Sequence, residues 1–470
     1  MTRLRHEGGF AMQWVVLLTS FLVLLSITTV ELVRAESSGS ADARLRTAVF
    51  HTAEAGMDDF LSKLPDDKTF YYRNVHPAES TRRPTSGADV DPLTTGCEID
   101  ANGRKQDPAT SASIALTQWT GSITWAYPNG KDNWCAISID GRSYEYNLQV
   151  TPPSASNLNI RIVATGRPAG STDTSQWRAI EEWVRFSIIS DFQMITSGDY
   201  RAGSTATTNG KVYAGRDIIH GGVANADLFA ERNIYGPGTL NPPAVKYDQT
   251  NIRSVLDNTI DFNTFTSSLD DIQRAAQASG HYLDASAAAY RIVFSASGTY
   301  TVQSCSLTSG NDPGKTGPTC GAATTKTVPV NGAIFSEKTA VVSGIVDGRV
   351  TIATNFDVVV EDEISYEAVG DDVLGLIGKD EVIIAKYAPD TLNWRAAVIA
   401  QNGARHSWDS SGSHTLANHI GSTASKGQPF MDQFDVRDYY YDNPLQYLPP
   451  PWFPVLDEAY EVNLFREVAP

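Results

Sequence analysis

Two stretches of this chain are near copies of one another at a spacing of sixteen residues: NGKVYAGRDI at 209–218 and NADLFAERNI at 225–234. Asn209/Asn225, Val212/Leu228, Tyr213/Phe229, Ala214/Ala230, Arg216/Arg232 and Ile218/Ile234 correspond. Short strands that repeat without helical spacers are the mark of a β-solenoid, in which each coil is stable only when stacked on the next. NGAIFSEKTAVVSGIVDGRVTIATNFDVVVEDEI, LGLIGKDEVIIA and RAAVIAQNG continue the same texture towards the C-terminus. A helical pattern is expected at about 250–280, best over 265–279, and HYLDASAAAYRIVFSASGTYTV returns to strands. The competing reading is a sandwich with chance similarity.

Upstream, SITWAYPNG, WCAISID, YEYNLQV and NLNIRIVATG alternate apolar and polar residues between Gly, Pro and Asn, which reads as strands. SQWRAIEEWVRFSIISDF fits a helix through Ala179, Ile180 and Trp183 or a strand through Val184, Phe186 and Ile188, and the strand is favoured. The formal net charge of −17 disfavours nucleic acid and anionic membrane surfaces as partners, because both rely on Lys and Arg meeting phosphates. The four cysteines form no CxxC pair, and they fall into two local pairs. Disulfides Cys97–Cys135 and Cys305–Cys320 are expected if the body is exported.

The N-terminus points to export. No charged residue occurs from Ala11 to Val30, a run long enough to cross a bilayer as a helix. Arg3, Arg5 and His6 precede it, so the positive-inside rule leaves the leader in the cytoplasm and the body outside. Val33-Arg34-Ala35 before Glu36 offers an alternative signal-peptidase cut. Beyond Glu31 the apolar residues Leu45, Val49, Ala53, Met57, Leu61 and Leu64 recur every three or four positions until Pro65. The expectation is one helix over 10–64, apolar in its first half and amphipathic in its second, with a stripe that packs against partner helices.

A short basic leader ending in Gly, then Phe, an apolar span and RLRTAVFHTAEAGMDDFLSKL resemble a type IV prepilin, specifically the PilX-type minor pilins. Arg46, Ala48, Phe50, Ala53, Glu54, Ala55 and Gly56 carry that likeness. The resemblance implies a prepilin peptidase cutting between Gly9 and Phe10, with Phe50, Glu54 and Gly56 on the assembly helix. It also implies other pilins or pseudopilins and membrane lipid as partners. Trp14 stands where major pilins keep Glu at the fifth mature position, which leaves open whether the subunit enters a filament. Residues 190–465 resemble a DUF4900-type domain, a resemblance that implies no established activity.

The expected organisation is α+β to mainly β. A leader at 1–9 and the helix at 10–64 precede a pilin-like β-rich domain at 65–192 and a solenoid-like domain at 193–470. No G-x-S-x-G, H-E-x-x-H or P-loop occurs. His406, His414 and His419 read as part of a polar loop, and Glu361, Asp362, Glu363, Asp371 and Asp372 as solvated turn residues. The aromatic tail YYYDNPLQYLPPPWFP is expected to cap the last solenoid coil. The resulting expectation is a single-pass membrane protein with an extracytoplasmic body, structural in role, with no catalysis and no cofactor. An adhesin on a pilin-type anchor is the alternative, and a β-helix enzyme acting on polysaccharide the third reading.

Overall fold

The computed structural model describes residues 42–62, 64, 125–127 and 134–470, except 152, 155, 257–258, 263–264, 308–311, 330, 410–411 and 457–459. It also describes six helical residues, Thr19, Phe21, Leu22, Leu25, Ser26 and Thr28. No helix among the described residues is long and apolar enough to cross a membrane. The span expected from Ala11 to Val30 lies, apart from those six positions, outside the described residues, as do Gly9, Phe10, Trp14 and Cys97.

Helix α1 (42–61) buries the expected stripe, Val49, Ala53, Met57 and Leu61, with Phe60 beside it. The stripe meets an antiparallel sheet of the same chain. Its strands are β1 (Trp125–Tyr127), β2 (Cys135–Ile139), β3 (Arg142–Thr151), β4 (Ile160–Pro168) and β5 (Arg178–Arg185). Asp140 and Gly141, both at positive φ, make the two-residue hairpin between β2 and β3, since this turn follows the natural strand twist. Tyr146, Leu148 and Val150 from β3, Ile160, Ile162 and Ala164 from β4, and Ile180 and Val184 from β5 form one core with α1. The RAIEEWVR part of that stretch is therefore a strand of the helix-covered sheet.

A three-sided solenoid follows, and the chain enters it in the middle. β6 (Phe192–Thr196), β7 (Tyr200–Ala202) and β8 (Thr207–Thr208) make its first coil. β9 (Lys211–Ala214), β10 (Ile218–His220) and β11 (Val223–Ala224) stack on it in parallel. β12 (Leu228–Ala230), β13 (Ile234–Tyr235) and β14 (Thr239–Leu240) stack next, and β15 (Lys246–Tyr247) ends the run. The sequence repeat is the pairing register: Val212 lies on Leu228, Ala214 on Ala230 and Ile218 on Ile234. Repeat identity also stacks side chains outside, where Asn225 donates to Asn209 and Asn241 to Asn225, each at 2.7 Å.

The chain then doubles back along the flank through α2 (Phe265–Ser279) and starts the rest of the solenoid from its far end. β16 (His281–Leu283), β17 (Ala289–Ser295), β18 (Thr299–Ser306), β19 (Thr319–Cys320) and β20 (Thr324–Thr327) come first. β18 pairs antiparallel with β17 and β20, so a hairpin rather than a bare parallel edge closes this end. Cys305 and Cys320 face each other across β18 and β19 and form a disulfide, and Cys135 is also disulfide-bonded.

Coils of β21 (Ala333–Ser336), β22 (Thr339–Val346), β23 (Arg349–Thr354), β24 (Val358–Tyr366), β25 (Val373–Gly378) and β26 (Val382–Ile384) follow. β27 (Thr391–Ala400), β28 (Arg405–Ser407), β29 (His414–Ser425) and β30 (Phe434–Tyr441) complete the stack. The last part of β29 pairs in parallel with β6: Thr423 lies on Met194 and Ser425 on Thr196. One face thus runs unbroken from β16 through β29 and β6 to β15. At the usual spacing between strands it is about 43 Å long. On the other two faces β30 and β8 belong to different sheets, and so do β28 and β7.

Two expectations change. The aromatic tail caps no coil end; Tyr439–Tyr441 are the last residues of β30, and the remainder lies along the unbroken face. Leu445 and Phe453 are buried there beside α2, and Trp452 Nε1 donates to Asn331 O at 2.7 Å. The strands of this face are apolar on both sides (AIFS, VLGLIG), and α2 and the tail cover the outer side. In addition, the C-terminal stretch assigned to the solenoid through 470 leaves it, and β31 (Glu461–Val468) pairs antiparallel with β5. The solenoid is an insertion between two strands of the helix-covered sheet.

Candidate functional site

Of the assembly-helix residues read from the sequence, Gly56 has a definite intramolecular reason. A Cβ there would stand 2.5 Å from Cδ2 of Tyr146, whose hydroxyl donates to Asp59 at 2.9 Å. Gly166 of β4 is the matching contact from the sheet, because its Cβ would lie 2.4 Å from the backbone oxygen of Val49. Helix and sheet therefore approach through two positions that lack a side chain. Gly166→Ala is expected to lower stability by about 2–3 kcal/mol, as overpacking against fixed backbone does. Denaturant titration followed by helix signal checks this, and a change below ~0.5 kcal/mol would refute it.

Phe50 is half-buried against the same core, while Glu54 lies on the flank of α1 and meets His51 Nδ1 at 2.6 Å. The stripe expected to face partner helices is occupied by the chain's own sheet from Val49 onwards. Ahead of it, Asp42, Ala43, Arg44, Arg46 and Thr47 are exposed. Burial and then Asp58 push the Glu182 carboxyl up, and burial and then Glu54 do the same to Asp58. An acidic strip therefore borders the helix where β5 passes beneath it.

The polar residues singled out on the solenoid do not converge. Glu361 is buried and engages Arg291 Nε at 2.6 Å and Ser343 Oγ at 3.2 Å. Asp372 accepts from the amides of Gly348 and Ala368, which closes a turn. His406 points outward to Glu381 at 3.0 Å, His414 contacts Ala388 O at 2.9 Å, and His419 is buried in the lumen. Asp357 is pushed up to about 6 by burial and then by Glu381, Asp380 and Asp312. No group of His, Cys, Asp and Glu among the described residues could hold a metal ion.

Two features had no signal in the sequence. Gln193 is 4% exposed and joins the two halves of the solenoid. Its Oε1 accepts from the amides of Asn209 at 3.0 Å and Gly210 at 2.9 Å, and its Nε2 donates to Tyr439 O at 2.9 Å. Gln193→Ala leaves three backbone groups without these partners and is expected to cost about 2–3 kcal/mol. A chemical-denaturation midpoint unchanged from wild type would refute that. The second feature is a polar cluster inside the lumen. Trp394 of β27 stacks on His419 of β29 with ring centroids 3.9 Å apart, and the Arg405 guanidinium lies 4.9 Å from the Tyr439 ring.

No protein-family model matches the chain, and no curated protein does. A solved structure, the competence-associated pilin ComZ from Thermus thermophilus, aligns with 90% of this chain and 98% of that chain, at 10% identity and a TM-score of 0.30. That score lies below the level of a shared fold.

Proposed function

We propose that this chain is a pilin-like structural protein, anchored in a membrane by its N-terminal helix and presenting the solenoid as an inserted body outside. One observation carries the reading: an amphipathic helix lies on an antiparallel sheet built from both ends of the described body. The helix is preceded by helical residues such as Phe21 and Leu22, which are 63% and 54% exposed. Large apolar side chains presented this way suit lipid or neighbouring helices of like kind. The PilX-type signature at 46–56 and the Gly9–Phe10 junction refine the proposal to a minor pilin or pseudopilin processed by a prepilin peptidase. Its role is structural, with no catalysis assigned. Trp14 in place of the usual acid favours a place at a tip or base over repeated incorporation along a filament.

N-terminal sequencing of the membrane-fraction protein tests this. A mature chain starting at Phe10 is expected. A start at Glu36 would overturn the reading, and retained Met1 would remove the prepilin part of it while keeping the anchor. The adhesin reading is favoured by β30, where Val436 and Tyr440 are 50% and 47% exposed on one strand. Deletion separates the two: loss of filaments or secretion marks assembly, and loss of attachment with filaments intact marks adhesion.

A further inference from the structure

The lumen is apolar along most of its length, lined by residues such as Val342, Ile352, Val360, Leu376 and Val398. Around β27, β28 and β29 it changes character. Arg405 pairs in register with Val382 and shares its inward direction, and its residue exposure is 0%. Its Nε and Nη1 have no hydrogen-bond partner among the described residues. The indole Nε1 of Trp394 and the hydroxyl of Thr423, which lies in register with Val398, are buried and unpartnered too. Each of these groups carries a hydrogen to give, and among the described residues none of them reaches a hydrogen-bond acceptor.

Neither of two neighbouring rings, Tyr200 and His419, supplies a negative charge. Tyr200 of β7 is pushed up by burial, while His419 is pushed down to about 3 by burial and then by the charge of Arg405. The charges acting on these two groups are Arg405 and Tyr439, with no acid among them. A guanidinium stays protonated at any relevant pH, so it cannot escape burial by neutralising itself. Burying an ion without a counter-charge is strongly unfavourable. Donors in excess and one fixed positive charge call for an acceptor-only group of charge −1.

We infer that the lumen beside Arg405 is a binding site for one small monovalent anion of the halide or formate class, held by the Arg405 guanidinium. A dianion would leave a net buried negative charge, and a larger carboxylate would have to displace the packed rings of Trp394 and Tyr439. The site sits where the two halves of the solenoid meet on one face only, so occupancy strengthens a join that has fewer strand pairings than the rest. This inference is independent of the pilin-like reading.

The test uses the full chain, with bromide exchanged for gluconate at constant ionic strength. Thermal or denaturant midpoints are expected to rise saturably with bromide, as for any ligand bound only by the folded state. Arg405→Met is expected to abolish the dependence, and Arg405→Lys to weaken the apparent affinity at least tenfold. Should Arg405→Met fail to fold, crystals of the wild-type protein grown in bromide give the second measurement: an anomalous peak within hydrogen-bond reach of Arg405 Nε or Nη1. A midpoint indifferent to the anion, an unchanged dependence in Arg405→Met, or water at that position would each overturn the site.

Discussion

Trp394→Ala is expected to lower stability by about 3–5 kcal/mol, the range for removing a large aromatic side chain from a closed core. Trp394 is 2% exposed and among the largest fully enclosed side chains of the protein. It stands in the lumen between Ile364 below and His419 above, in the register of β24, β27 and β29. A solenoid cannot close such a gap by moving one helix, because each strand is tied to two neighbours by its backbone ladder. Collapse is therefore limited and the cavity term stays large. Trp394→Phe should recover more than half of the loss. Chemical denaturation of the full chain reads both, and a loss below ~1 kcal/mol for Trp394→Ala would show that the lumen is not packed as described.

The second large effect is acid destabilisation centred on His419. Its Nε2 faces Ala396 O at 3.1 Å, so that nitrogen carries the hydrogen. Burial, followed by the Arg405 charge, holds it down to about 3, whereas a free imidazole titrates near ~6.5. As pH falls, the unfolded chain takes the proton first. The contribution of His419 is complete above pH ~6.5 and is lost progressively down to about 3, at up to ~1.4 kcal/mol per pH unit. His281, held down to about 4 by burial and then Lys326, acts in the same direction.

Asp357 opposes them. With its carboxyl pushed up to about 6, it favours the folded state at low pH and loses that contribution as pH rises from ~4 to 6. Other groups titrate in the same window, His220 pushed down and Asp58, Glu182, Asp191, Asp372 and Asp442 pushed up, all by burial first, so His419 is read from the change in slope on substitution. His419→Phe keeps a ring against Trp394 and is expected to lower the slope between pH 4 and 6 by about one proton relative to wild type. Denaturant midpoints collected from pH 4 to 7 decide the matter, and a slope unchanged by the substitution would refute the assignment to His419.

Much of the local architecture was legible in the residues. The spacing of Leu45, Val49, Ala53, Met57 and Leu61 is a helix period, and the structure buries the stripe from Val49 onwards. Asp140-Gly141 between alternating runs is a hairpin signal. The candidate sites were far less legible. Arg405 in GARHSW looks like any loop cation, since inward and outward positions exchange with a single-residue shift of register. Gly56 belonged to a family-like signature, yet its contact with Tyr146 of β3 depends on a strand ninety residues away in the chain.

By itself the sequence determined the coil register, because a sixteen-residue repeat places like on like: Val212 on Leu228 and Ile218 on Ile234. It also determined which face of α1 is apolar. Only the tertiary structure decided where the solenoid begins and ends. Thr423 lies on Met194, the tail covers the outer face of the unbroken sheet, and β31 returns to β5. The two strand pairings join segments more than two hundred residues apart and the tail contacts about a hundred, and no local period records them. They are selected by which apolar sheet face and which open strand edge remain uncovered once the local coils have formed. The physical reason is that hydrophobic burial is non-directional and leaves the choice of partner to the assembled surface.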